Sequence, residues 1–200
     1  MTPDPAVVLA ETPRLVLRQL TEQDLDDLVE LDSDPEVMHF ITGGLPTPRR
    51  ELRDDVLPAW LRYYDAGSTI GFWAASDRSS GEFVGWFHLR PGRGHGDDEP
   101  ELGYRLRRDR WGQGLATEGS RSLLEVAFER GGAVRVLAET MAVNLASRRV
   151  MEKIGMTLVR EFRAEWPDLI PGDEFGDVEY AIDRATWERR ISSSSARGSC

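Results

Sequence analysis

The stretch that decides the fold is Glu101–Arg130, ELGYRLRRDRWGQGLATEGSRSLLEVAFER. It opens as a strand, passes through a loop with two closely spaced glycines and continues as a helix. That order suits an anion. A helix N-terminus leaves backbone N–H groups unpaired and carries partial positive charge, and glycines let a ligand come close. The loop reads Trp111-Gly112-Gln113-Gly114-Leu115-Ala116, with Thr117 and Glu118 behind it. Arg105, Arg107, Arg108 and Arg110 crowd its approach, in a chain whose net charge is −10. For so short a motif the plain alternative is a tight strand–helix turn that holds nothing.

Outward from this stretch, the chain alternates between the two hydrophobic periods. Residues 14–20 alternate apolar and polar side chains and predict a strand. Thr21 with Asp24 three residues on predicts a capped helix carrying Leu25, Leu28 and Val29. Asp34-Pro35-Glu36 starts a second helix with Val37, Met38, Phe40 and Ile41 as its inner face, and Gly43-Gly44 breaks it. A third helical segment runs from Thr47 to about Tyr64, kinked at Pro58. Residues 69–76 and 82–90 predict two strands joined by a turn, and the flexible loop PGRGHGDDEP leads into the central strand. After the helix at 113–130, Gly131-Gly132 is a stop. Residues 134–141 then predict a strand, Asn144–Gly155 a helix, 156–163 a strand, 164–177 an irregular loop and 178–182 a last strand. A helical turn follows from Asp183, and the low-complexity stretch SSSSARGSC (192–200) predicts a disordered tail. The reading is one α/β (α+β) domain over residues 1–191, without internal repeats.

Composition bounds the function. With 200 residues and 40% hydrophobic content the chain can bury a core. No apolar run approaches the roughly 20 residues that span a bilayer, and the first residues lack a secretory pattern. The one cysteine, Cys200, allows no intrachain disulfide, which fits a reducing, cytoplasmic setting. An acidic chain argues against nucleic-acid binding through a basic face. No membrane partner is expected, and a homodimer is the oligomeric expectation.

With these elements in place, two motifs resemble those of the GNAT acyltransferase superfamily. The loop Trp111–Ala116 is similar to the superfamily's acyl-CoA pyrophosphate loop, Arg/Gln-x-x-Gly-x-Gly/Ala, with Gly114 and Ala116 at its last two positions and Trp111 where Arg or Gln is usual. Asn144–Met156, NLASRRVMEKIGM, is similar to the later helix, Asn-x-x-Ala/Ser-x-x-(apolar)-x-Glu-Lys-(apolar)-Gly-Phe. The N-terminal TPRLVLRQL and Asp34-Pro35-Glu36-Val37 resemble the RimJ/RimL-type branch of ribosomal-protein N-terminal acetyltransferases. The resemblance covers about residues 12–185.

It implies a mixed, mostly antiparallel splayed sheet of about six to seven strands flanked by helices, and acetyl-CoA as cosubstrate without a metal. The pantetheine arm would lie along the splayed strand, on backbone groups of Tyr104 and Leu106. Gly112, Gln113, Gly114, Leu115, Ala116 and Thr117 would cradle the pyrophosphate, with Arg110 at the phosphates and Asn144 on the pantetheine. The helix tyrosine that protonates the departing thiolate in many members falls here at Met151. Ser147, three after the Asn, takes that role in the RimJ/RimL-like branch. Glu101 is the candidate base for the acceptor amine, directly or through water, with Glu99, Glu139 and His88 as rivals.

The acceptor would be a primary amine, of a protein N-terminus or a small cationic molecule. The acidic loop 164–177, with Glu165, Asp168, Asp173, Glu174, Asp177, Trp166 and Phe175, suits a cation, though a solvated loop is its plain reading. Two other classes were weighed: an acyl-CoA-binding domain without turnover, and a nucleotide-phosphate binder. The latter lacks a Gly-x-x-x-x-Gly-Lys-Ser/Thr run and a third glycine at dinucleotide spacing, and the only lysine, Lys153, lies elsewhere in sequence.

Overall fold

The computed structural model describes residues 7–67, 69–92, 94–164 and 169–197, apart from the side chains of 66 and 194–197. Eight strands form one sheet: β1 (Val8–Glu11), β2 (Leu15–Gln19), β3 (Gly71–Asp77), β4 (Phe83–Pro91), β5 (Pro100–Leu106), β6 (Arg135–Met141), β7 (Thr157–Phe162) and β8 (Asp177–Asp183). Their order is β1-β2-β3-β4-β5-β6-β8-β7. Every neighbouring pair is antiparallel except β5 and β6, which run parallel and share a single register pair, Glu101 with Leu137. Beyond that pair the two strands part. The mouth so formed is the splay that the family resemblance implies.

The sheet has one strand more than the six to seven expected. The addition is β1, a four-residue edge strand, VLAE, too short to establish an alternation.

Each face of the sheet carries its own core. One face packs Leu15, Leu17, Phe87, Leu89, Leu102 and Leu106 under α5 (Leu115–Glu125), α6 (Leu145–Ile154) and α7 (Arg184–Arg197). The other packs Phe72, Ala74 and Trp86 under α1 (Leu25–Ser33), α2 (Pro35–Thr42), α3 (Arg49–Glu51) and α4 (Leu57–Leu61). Pleating sends successive side chains to opposite faces. On β5, Leu102 and Leu106 therefore belong to the α5–α6 side, with Tyr104 packed against that core. Glu101, Gly103 and Arg105 face the α1–α4 side, opposite Arg90, His88 and Trp86 of β4.

Local chemistry sets the helix ends. Asp24 accepts from Thr21 N (2.7 Å), and Asp34 accepts from Glu36 N (2.9 Å) at the start of α2. Gly43 closes α2 with φ 69°, a left-handed conformation that favours glycine. Ile41, expected on the inner face of α2, is exposed instead, because the helix departs from α geometry at Phe40. A π turn over Leu52–Val56 joins α3 to α4 just ahead of Pro58, whose missing N–H disturbs the ladder. The stretch read as a tail from residue 192 begins inside a helix. The helix α7 continues to Arg197, with Ser192 and Ser193 donating back to the Glu188 and Arg190 carbonyls (2.9 Å each), so the serines satisfy themselves within the helix. Residues 198–200 lie outside the described residues.

Candidate active site

Beyond Leu106 the chain makes a short 3₁₀ turn, Arg108–Arg110, and then the two-glycine loop. Gly112 and Gly114 have φ of 71° and 80°, and Gly114 is the N-cap of α5. The first amide at this junction with an internal acceptor among the described residues is Glu118 N, on Gly114 O (3.0 Å). The amides of Gln113, Leu115, Ala116 and Thr117 are left over, as a helix start requires.

The loop is clamped on both sides by contacts that the sequence did not reveal. Trp111 Nε1 donates to Leu106 O (2.8 Å), tying the loop to the end of β5 and using one lone pair of a carbonyl expected to serve pantetheine. Arg14 Nη1 donates to Gln113 O (2.9 Å). Glu118 accepts from Thr12 Oγ1 (2.6 Å), Arg14 N (2.9 Å) and Arg14 Nε (2.7 Å), which fastens the β1–β2 turn to the first turn of α5. Burial alone would raise the Glu118 carboxyl, but these donors hold it low. An acid in a helix's first turn was a readable signal. Its partners, more than a hundred residues away, were not.

A groove beside this helix start is lined by Arg14, Gly114, Thr117, Arg121 and Lys153, together with the acids Glu11, Glu118 and Glu125. Lys153, distant in sequence, thus arrives at the anion loop, with Arg121 Nη2 on its carbonyl (3.1 Å). Three of the four arginines of the approach are paired with acids. Arg105 pairs with Asp32, Arg107 with Glu30 (2.7 Å) and Arg110 with Glu82 (2.6 Å). Arg110, named for the phosphates, is turned toward the β3–β4 turn and its acids, and Arg108 is exposed.

On the α5–α6 side of β5, burial raises the pKa of the Tyr104 phenol, and the nearby Ser147 hydroxyl opposes the rise. Asn144 caps α6: Oδ1 accepts from Ser147 N (3.1 Å) and Nδ2 donates to Thr140 Oγ1 (3.1 Å). The cap fixes where Ser147 stands. Met151, at the usual tyrosine position, is buried in the core.

On the α1–α4 side, Glu101 is 9% exposed and Arg90 Nη2 reaches both its oxygens (3.1 and 3.0 Å). Desolvation pushes its carboxyl up, yet His88 and Arg90 outweigh it and the net shift is downward. His88 is 7% exposed, and its Nε2 stands 3.8 Å from Glu101 Oε1, too long for a hydrogen bond. Its ring lies over Gly103; a Cβ there would come within 2.5 Å of His88 Cε1. Neither ring nitrogen of His88, nor Trp86 Nε1, nor Arg105 Nε has a hydrogen-bond partner among the described residues.

The remaining base candidates have ion-pair partners of their own. Glu99 is occupied by His95 (2.8 Å), and Glu139 lies on β6 near Arg160 (3.9 Å). In the acidic loop, Asp173 accepts from Ile170 N, Glu174 from Gly172 N (2.9 Å) and Asp177 from Ala164 N (3.4 Å), so these three acids serve the loop's own backbone. Glu165, Trp166 and Asp168 lie outside the described residues, and Phe175 is exposed.

Comparison with known proteins agrees with this architecture. An acetyltransferase (GNAT) domain model matches residues 14–157. The FsC-acetyl coenzyme A-N(2)-transacetylase of Aspergillus fumigatus is 38% identical over 184 residues, 89% of this chain and 77% of that protein. The uncharacterized protein YkkB of Bacillus subtilis is 32% identical over 153 residues, 76% of this chain and 87% of that one. In fold, the chain resembles a Bacillus anthracis GNAT-family acetyltransferase (TM-score 0.70, 24% identity, 88% of this chain and 97% of that one). It also resembles RimL, the ribosomal L7/L12 alpha-N-protein acetyltransferase solved with coenzyme A (TM-score 0.73, 19% identity, 88% and 97%). With its splayed β5–β6 pair, its glycine loop at the start of α5 and an Asn-capped α6, this chain belongs to the GNAT acetyltransferase family.

Proposed function

We propose that the protein moves the acetyl group of acetyl-CoA to the primary amine of a small cationic molecule by direct attack on the thioester. The observation that carries the reading is the division of β5 between two faces at one mouth. Tyr104 and Ser147 lie on one side, and Glu101 on the other. In this reading the free amides from Gln113 to Thr117 take the pyrophosphate, and Arg14, Arg121 and Lys153 supply the charge first assigned to Arg110. The pantetheine lies along Tyr104–Leu106, where a backbone N–H meets the thioester oxygen as negative charge develops.

The acceptor enters from the α1–α4 side and gives up a proton to Glu101. Its nitrogen attacks the carbonyl carbon, the C–S bond breaks, and Ser147 protonates the departing sulfur. A small-molecule acceptor is favoured over a protein N-terminus because the curated relative at 38% identity is named for an N(2) position of FsC.

The test is a CoA-release screen of the intact protein with acetyl-CoA against peptides, polyamines, amino acids and aminoglycosides. Release with a small amine is expected. Release with N-terminal peptides alone would overturn the acceptor assignment, and no acetyl-CoA binding by calorimetry would overturn the donor side.

A further inference from the structure

Buried polar atoms are nearly always hydrogen-bonded, and an exception calls for an explanation in ligand, water or mechanism. Four of the seven such side-chain atoms among the described residues gather in one place. Trp86 Nε1, both nitrogens of His88 and Arg105 Nε all belong to the patch that β4 and β5 turn toward the α1–α4 side, beside the splay. The patch is rigidly framed. His88 packs edge-on to Phe72 (5.1 Å between centroids) and stacks near Trp86 (5.8 Å), while the Arg105 guanidinium sits 5.0 Å from the Trp86 centroid and is held by the buried Asp32 of α1. Gly103 is the residue that makes room for the imidazole.

We propose that His88 is a positioning residue in a proton relay, receiving through Glu101 the proton that the acceptor ammonium must lose. The inference rests on the acetyl-transfer reading and deepens it. Glu101 sits at the register pair where β5 and β6 begin to part, but the Arg90 guanidinium on both its oxygens makes it a poor resting place for a proton. His88 has two uncommitted nitrogens, and a hydrogen-bonding group set to one side of the 3.8 Å line from its Nε2 to Glu101 Oε1 can reach both. Burial lowers the affinity of the ring for a proton; the Glu101 carboxylate opposes this, and Arg90 and Arg105 add to the lowering. The imidazole is therefore neutral and able to accept at neutral pH. Asp32 faces this group from α1, engaged by Arg105.

The protons balance. The ammonium gives one to Glu101, which passes it to His88 and returns to carboxylate. After attack, the second proton on nitrogen replaces the one that Ser147 gives the thiolate. The sum is ammonium plus acetyl-CoA to amide, CoA thiol and one proton released from His88 to water.

The experiment has two arms on the full chain. In the first, imidazole resonances of the three histidines are titrated by NMR without ligand in the wild type and in Glu101→Gln. Removing the anion should move the His88 titration to lower pH; an unmoved titration overturns the coupling whether or not the protein turns over. In the second, His88→Gln is assayed with acetyl-CoA and the amine selected by the CoA-release screen. A ten- to hundredfold loss of kcat at pH 7 is expected, with the KM for acetyl-CoA unchanged. That loss should shrink as pH rises toward the acceptor's own ammonium pKa. A loss equal at every pH marks a purely structural residue and overturns the relay, as does wild-type behaviour. His88→Phe, which keeps the ring stack, carries the same expectation if His88→Gln does not fold. Absence of any transfer in the screen defeats the acetyl-transfer reading and leaves the NMR arm to judge the pair.

Discussion

The two faces of β5 handle charge in opposite ways. On the α5–α6 side, the groups open to an anion are backbone amides at a helix start, and the side chains pointing inward are largely apolar. On the α1–α4 side, the backbone is paired to β4 and the chemistry lies in buried side chains: Glu101, His88, Arg90, Arg105 and Asp32. A ligand common to a family can be held by backbone, which any sequence supplies. A ligand peculiar to one protein needs side chains, and side chains in a low-dielectric site set each other's protonation. The donor side should therefore tolerate substitution better than the acceptor side.

The sharpest way to break that contrast is a pair of glycines. In Gly103→Ala the new Cβ meets the enclosed His88 ring at 2.5 Å, and in Gly119→Ala it meets Phe87 Cζ at 2.3 Å under α5. Both overpack, at a cost of about 1–3 kcal/mol, and the helical position regains up to about 1 kcal/mol in propensity. Per folded molecule, Gly103→Ala should lose more than a hundredfold in kcat and Gly119→Ala less than tenfold, measured by steady-state kinetics beside thermal melts. Equal losses would erase the distinction between the faces. Next in size is Ser147→Ala, expected to lower kcat about a hundredfold while acetyl-CoA affinity by calorimetry stays within about twofold. An unchanged kcat removes Ser147 as the acid.

A pH series sharpens the contrast through stability. His88 is held below its ordinary pKa, so between about 6.5 and its folded value the unfolded chain binds more protons. Stability should then fall as pH drops below about 6.5. Glu101, also lowered, contributes above the usual carboxylate range and is lost only as pH falls through its lower folded value. Thermal melts from pH 8 to 5 should show wild-type stability declining by at most about 1.4 kcal/mol per pH unit from this ring, with a shallower decline in His88→Gln; parallel curves would contradict it. The smallest effects separate two arginines. Arg110→Ala, whose guanidinium is turned to Asp77 and Glu82, should change acetyl-CoA affinity less than threefold, and Arg14→Ala, which holds the Gln113 carbonyl and Glu118 at the loop itself, should change it more.

The glycine loop and the Asn144 cap were legible in sequence because each is local. Gly112, Gly114 and the helix behind them lie within a few residues, and the same holds for Asn144 capping Ser147. The even spacing of Leu102, Tyr104 and Leu106 likewise disclosed one face of β5. What escaped reading is cross-strand or cross-chain. Arg90 and His88 acquire meaning only through the β4–β5 register, which sets them against Glu101 and Gly103. The arginine cluster misled because sequence shows a charge and hides its partner: Asp32 and Glu30 come from α1, and Glu82 from the turn before β4. The strand β1 was missed for lack of length, and Lys153 reached the anion loop only through the packing of α6 on α5.

The grip of Glu118 on Thr12 and Arg14 has a consequence for how the chain matures. The contacts bridge 106 and 104 residues. A two-stranded β1–β2 ribbon is marginal by itself, so its anchor does not exist until α5 has formed. A nascent chain shorter than about 120 residues can pair β2 with β3, but the turn between β1 and β2 gains its hold on the ligand loop only once Glu118 has emerged.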